Sequence, residues 1–141
     1  MTIDSCFNLA LRQSSRLITQ FYEDHLSAVD LKVGQFSILR AVYYTKETTN
    51  KELQSILVLE QTTLTRNLKP LIRDGYLQLR PHTEDSRLKL ISLTKSGKAL
   101  YKRALPIWEA AQAELQKKVG AEEAATILAL ADTLVKTLGE T

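Results

Sequence analysis

Between residues 61 and 73 the chain reads QTTLTRNLKPLIR, and its polar side chains are of the types that read nucleic acid. Stepping about 100° per residue from Leu64 puts Leu64, Leu68, Leu71 and Ile72 on one side. Thr62, Arg66, Lys69 and Arg73 fall opposite, with Thr63 at their edge. Short hydroxyls near the amino end of such a helix reach base edges or a thymine methyl, and an arginine takes guanine through two hydrogen bonds. Lys69 and Arg73, farther along, suit phosphates. A helix that merely exposes polar residues has the same pattern, so the surrounding elements must decide.

Charge supports the nucleic-acid reading. The whole chain has 19 Lys and Arg against 16 Asp and Glu, a net charge of only +3. Residues 60–103 hold ten of the cations and four of the acids, a local net of +6, which leaves −3 for the flanks. A basic middle between mildly acidic ends fits a surface that meets phosphates, although a solvated charged face gives the same count.

Composition bounds the rest. A chain of 141 residues with 44% hydrophobic and 25% charged side chains reads as one soluble domain over residues 1–141, able to bury its own core. The single cysteine, Cys6, excludes an internal disulfide framework and a clustered cysteine zinc site. Asp4 near the front and the lack of a long apolar run exclude a secretory signal and a membrane span. The expectation is a reduced, cytoplasmic protein.

Periodicity gives a mainly α chain with one short β-hairpin. A first helix runs from Phe7 to about Ala28 with two apolar lines, more than one core contact requires. LKVGQFSILRAVYY follows as a helix with Phe36, Leu39 and Tyr43 inward. Thr49 with Glu52 has the spacing of a capping box and starts a short helix that ends near Val58. The helix carrying the threonines comes next as one helix, with a kink at Pro70 as the local expectation, and closed by Gly75 as its C′ residue. Glu60, before it, is a weaker N-cap than Asp or Ser. Tyr76–Arg80 and Leu88–Leu93 pair around the polar tip Pro81–Ser86. Two further helices follow, the first expected to bend at Pro106, the second opening on Glu122 and Glu123 with Ala124, Ile127, Leu128, Ala131, Leu134 and Leu138 along one stripe.

Two short helices a few residues apart and then a charged hairpin make a winged helix-turn-helix. Residues 31–100 resemble the MarR family of bacterial transcriptional regulators in LKVGQFSILRAV, NKELQSILVLEQTTLTRNLKPLIRDGYLQLR and EDSRLKLISLTKSGKAL. The TTLTRNLKPL helix and the D-x-R-x-x-x-I-x-L-T-x-x-G wing, Asp85 to Gly97, carry the resemblance most specifically. It implies a homodimer interlocked through its N- and C-terminal helices (about 5–28 and 99–139) around DNA-binding lobes (about 31–98). It also implies recognition helices in successive major grooves of a pseudo-palindromic operator. The positions carried over are Thr62, Thr63, Thr65, Arg66 and Lys69, with Asp85 and Arg87 as the wing pair. Arg87 near a hairpin tip suits a narrow, negative minor groove, and Asp85 is placed to orient it, or is an ordinary turn residue.

Other chemistry is thinly represented. His25 and His82 have no partners at metal-ligand spacing, no Gly-rich phosphate loop or nucleophile motif is present, and neither an enzyme nor a cofactor is expected. His25 lies on an apolar line and reads as a core or pocket residue; His82 meets a phosphate or faces water. Tyr22, Tyr43, Tyr44 and Trp108, with His25, are candidates to line a pocket for an aromatic effector, though large aromatics more often fill cores. Cys6 begins CFNLA, which resembles the first helix of the organic-hydroperoxide-sensing branch of the family. Aligning SRLITQFY brings Tyr22 onto a sensor tyrosine, but Asn8 onto the sensor cysteine and Arg12 onto the second tyrosine. Cys6 is therefore either a redox sensor or a small packing residue. The sequence thus points to a DNA-binding regulator, more a repressor than an activator. The alternative is a winged-helix module that docks a protein partner.

Overall fold

The computed structural model describes residues 5–139; Asp4, used above, lies outside them. The elements run α1 (Phe7–Leu26), a 3₁₀ turn at Ser27–Val29, α2 (Val33–Thr45), β1 (Glu47–Thr48), α3 (Asn50–Leu57), α4 (Gln61–Arg73), β2 (Leu77–Pro81), β3 (Lys89–Leu93), α5 (Lys95–Val119) and α6 (Ala121–Leu138). The expected helices and hairpin are all present. The threonine helix continues past Pro70, as expected, and α5 runs as one helix through Pro106.

α2 is the hub of the core. It touches α1, α3, α4, α5, β1 and β3, so it has no single inward face. This explains a misreading of its pattern. Phe36 and Leu39 are buried as expected, but Ile38 and Val42 are buried with them, while Tyr43 is partly exposed. Around α2 pack Leu53 of α3, Leu64, Leu68 and Leu71 of α4, Leu77, Ile91 and Leu93 of the strands, and Leu100, Tyr101 and Ala104 of α5.

The sheet holds a strand that the sequence concealed. β1 pairs antiparallel with β3 through Glu47↔Ser92 and Thr48↔Ile91, giving the order β1-β3-β2. Two residues are too few to show an alternation. The wing proper pairs Leu77↔Leu93 through Pro81↔Lys89. Thr48 is buried, and its hydroxyl donates to the Glu52 carboxylate at 2.9 Å. Glu52 is therefore turned away from the Thr49 backbone. Half of the expected capping box forms: Thr49 Oγ1 accepts the Glu52 N–H at 3.2 Å.

The chain leaves α4 through a Schellman turn. Gly75 has φ +80°, its N–H donates to the Ile72 carbonyl at 3.1 Å, and the Tyr76 N–H donates to Leu71 at 2.9 Å. Thr94 then joins wing, α4 and α5 at one point. Its hydroxyl donates to the Gly75 carbonyl at 2.5 Å and accepts the Gly97 N–H at 3.0 Å. A Cβ on Gly97 would lie 2.0 Å from the Tyr76 carbonyl oxygen, so only glycine fits there. This accounts physically for the L-T-x-x-G end of the wing motif.

Candidate nucleic-acid interface

α4 packs Leu64, Leu68 and Leu71 inward and turns Thr62, Thr65, Arg66, Lys69 and Arg73 outward, with Thr63 half-buried at the margin. Its first turn holds no acid, and Glu60 makes no side-chain cap, so the amino end keeps unsatisfied N–H groups and its positive dipole end. The approach from α3 is sharp. Val58, in the turn between the two helices, has φ 52° and ψ 53°, a left-handed conformation unusual for a β-branched residue.

The cations differ in their commitments. Arg73 bonds Asp74 through Nε–Oδ1 at 3.0 Å and a second nitrogen at 3.3 Å. That contact raises the guanidinium pKa and holds the Asp74 carboxyl below its ordinary value. Arg66 and Lys69 form no ion pair among the described residues. Arg73 therefore brings less net charge to the surface than the sequence suggested.

The wing pair comes together as expected. Asp85 Oδ1 accepts the Arg87 backbone N–H at 3.0 Å and its Nε–H at 3.1 Å, while Oδ2 accepts a terminal guanidinium N–H at 3.2 Å. These bonds hold the Asp85 carboxyl below its usual range. The Arg87 side chain is nonetheless 89% exposed. It is thus braced at its root and open at its face. Leu88 N–H to Asp85 O (3.0 Å) and His82 N–H to Leu88 O (2.9 Å) close the tip. The half-buried His82 accepts the Glu84 N–H on Nδ1 at 3.0 Å. Arg80 pairs with Glu47, tying β2 across the sheet to β1.

A groove of about 650 Å³ lies between α3, α4 and the wing. Thr65 and Lys69 meet Arg87 along it, over an apolar floor that includes Leu68, Ile72, Leu79 and Leu88. A shallower recess holds Thr62, Thr65, Arg66 and Lys69 with Gln61. The groove adds Lys51 and Lys89, which sequence reasoning did not select. No motif marks Lys51, because α3 reaches this face only through tertiary packing.

The expected aromatic pocket is divided. Trp108 lines a cavity of about 380 Å³ with Phe36, Ser37, Arg40, Tyr44 and Ile56. Within it the Arg40 guanidinium lies 4.8 Å from the Trp108 ring centre and 5.4 Å from that of Tyr44. Tyr22 and His25 do not line this cavity. The Tyr22 hydroxyl donates to Gln112, and burial raises its pKa; His25 is joined to Glu114. Tyr43 packs against Tyr101 at a tilt, with ring centres 4.5 Å apart. Arg40 was missed, and its only sequence sign is Tyr44 four residues later. Cys6 stands exposed at the N-cap of α1 in the single protomer, next to the likewise exposed Phe7.

Together these elements define a winged helix-turn-helix protein with a basic helix and an arginine-tipped wing. Residues 31–89 match the model of the MarR family. The multiple antibiotic resistance protein MarR of Escherichia coli is 30% identical over 105 residues, 74% of this chain and 73% of that protein. An uncharacterized HTH-type transcriptional regulator of Bacillus cereus is 32% identical over 127 residues, 90% of this chain and 84% of that one. A crystal structure of a mutant E. coli MarR complexed with operator DNA superposes with a TM-score of 0.82 at 25% identity, covering 91% of this chain and 92% of that one. The chain belongs to the MarR family. Among the described residues no helix is long and apolar enough to cross a membrane.

Proposed function

We propose that this protein is a sequence-specific, double-stranded-DNA-binding transcriptional regulator, a cytoplasmic homodimer that represses by occupying promoter DNA. In this reading residues 31–98 form the DNA-binding lobe, and 5–28 with 99–139 supply the dimer helices. The observation that carries it is the convergence of Thr65 and Lys69 with the Asp85-braced Arg87 along one groove. The operator complex of the E. coli relative supports the same use of this fold. Thr62, Thr63, Thr65 and Arg66 read bases; Lys51, Lys69, Lys89 and, more weakly, Arg73 meet phosphates; Arg87 enters the minor groove. Release belongs to a small aromatic effector in the Trp108 cavity, where Arg40 suits an anion, or to oxidation of Cys6.

Genome-wide capture of bound DNA yields the operator, and titration of that operator across salt tests the reading. With roughly 6–10 phosphate contacts, affinity falls by about 10³–10⁵ between about 50 and 200 mM salt. A chain that captures no discrete DNA site, or whose main association is a salt-insensitive protein contact, refutes it.

A further inference from the structure

Among the described residues, α1 has its buried side chains near its carboxyl end. Its buried residues are Tyr22 and Leu26, whereas Phe7, Leu11 and Leu17 stay exposed. Three polar ties cluster at that end: the Tyr22 hydroxyl to Gln112, the Val33 N–H to the Glu23 carboxylate at 3.1 Å, and His25 to Glu114. The His25 tie differs from the other two in its proton requirement. Nδ1 lies 3.0 Å from the Phe21 carbonyl oxygen, and Nε2 lies 2.8 Å from Glu114 Oε2. A carbonyl and a carboxylate only accept, so both ring nitrogens must donate, and only the imidazolium has two N–H groups.

We propose that His25 is a proton-operated latch between α1 and α5: charged, it holds both acceptors, and neutral, it must give up one of them. Its surroundings favour the charged form. The hydrogen bond to Phe21 and then the Glu114 carboxylate raise its pKa above the ordinary 6.5, with Asp24 on α1 adding to the attraction and burial opposing it. A raised folded-state pKa fixes the sign. The latch contributes fully below pH 6.5, the ordinary value, and its contribution disappears as pH rises through the higher folded value. Neutral His25 withdraws its N–H from one of the two acceptors, and the α1 anchor loosens.

The regulatory consequence rests on the dimer reading above. A 20-residue helix spans about 30 Å, so a small change of angle at its anchored end is magnified at Phe7. Operator affinity therefore declines as pH rises through the His25 transition.

The test uses the full-length protein without DNA first. The two histidine rings are followed by NMR across pH, in the native chain and in Glu114→Gln, with His82 as internal reference. Native His25 is expected to titrate above 6.5 and to move down in Glu114→Gln. The native chain is also expected to melt higher than the variant at pH 5.5–6.5 and to lose that advantage at higher pH. A His25 transition indifferent to Glu114→Gln, or a melting difference independent of pH, overturns the latch. Operator affinity is then measured over the same range. A pH-dependent loss present in the native chain and absent from Glu114→Gln extends the latch to regulation; equal profiles overturn that extension. If neither protein binds DNA at any pH, the proposed function fails, while the NMR and melting results still decide the latch.

Discussion

Arg66 and Arg73 lie on the same side of one helix, and in the proposed DNA-binding role they divide its two tasks. Arg66 has no ion-pair partner among the described residues, whereas Arg73 is held by Asp74. Arg66→Ala is expected to weaken operator binding by about 1–3 kcal/mol and to relax specificity at one base position, leaving folding and assembly intact. Arg73→Ala is expected to cost less, because a pair already formed must be broken before the guanidinium can serve a phosphate. Titrations of native, shuffled and single-base-changed operators at fixed salt check both, and an unchanged affinity for Arg66→Ala removes that residue from the recognition surface. Cys6 is argued at the same scale. Its thiolate would attack a hydroperoxide, taking one oxygen as a sulfenic acid and releasing water or an alcohol. With one cysteine per chain, resolution requires a small thiol or the partner's Cys6, the latter only if their Cα atoms come within about 7 Å. Peroxide is expected to lower operator binding by the native protein, reversibly with dithiothreitol, and to leave Cys6→Ser unaffected. Equal responses from the two proteins assign the effect elsewhere.

At the scale of elements, local patterns were legible where one helix face meets one core. The leucine stripe of α4, its Gly75 stop and the Thr49 cap follow from chemistry within a few residues. Elements shaped by distant partners were hidden. α2 is covered on several sides, so its burial of Ile38 and Val42 breaks the expected stripe. β1 exists because Glu47 and Thr48 happen to meet β3. The candidate site divides the same way: Asp85 and Arg87 are two residues apart and were found, while Lys51 and Arg40 join their clusters only through folding. The turn between α3 and α4 offers a test of local strain. Val58 is 63% exposed and left-handed, so its side chain gains little from burial and keeps the steric cost. Asparagine tolerates this conformation. Val58→Asn is expected to stabilise the protein by about 1 kcal/mol, since a non-glycine left-handed residue costs roughly that much or more. Denaturant unfolding monitored by circular dichroism checks it, and a lower midpoint would show that Val58 makes a contact worth more than its strain.

The whole molecule carries an apolar surface that one protomer leaves open. On α1, Phe7, Leu11 and Leu17 are exposed; on α6, so are Ile127, Leu128, Leu130, Val135 and Leu138, and no residue of α6 is buried. An 18-residue helix this apolar and this uncovered, packed mainly on α5, is not the finished state of a protein in water. The two surfaces belong to opposite ends of the sequence, and an isologous pairing that interlocks them covers both at once while relating the two α4 helices by a two-fold axis that runs between them. The protein is therefore expected to sediment as a dimer at micromolar concentration and to protect a pseudo-palindrome whose half-sites lie about one helical turn apart. Leu128→Glu with Leu138→Glu is expected to shift it to monomer. The core around α2 lies elsewhere, so each protomer should keep its helical circular dichroism while operator affinity falls steeply, because two linked half-site contacts become one. A native chain that sediments as a monomer yet holds a single half-site tightly would contradict this assembly. So would a double variant that stays dimeric, since the apolar face of α6 would then have to be covered by something other than a second copy.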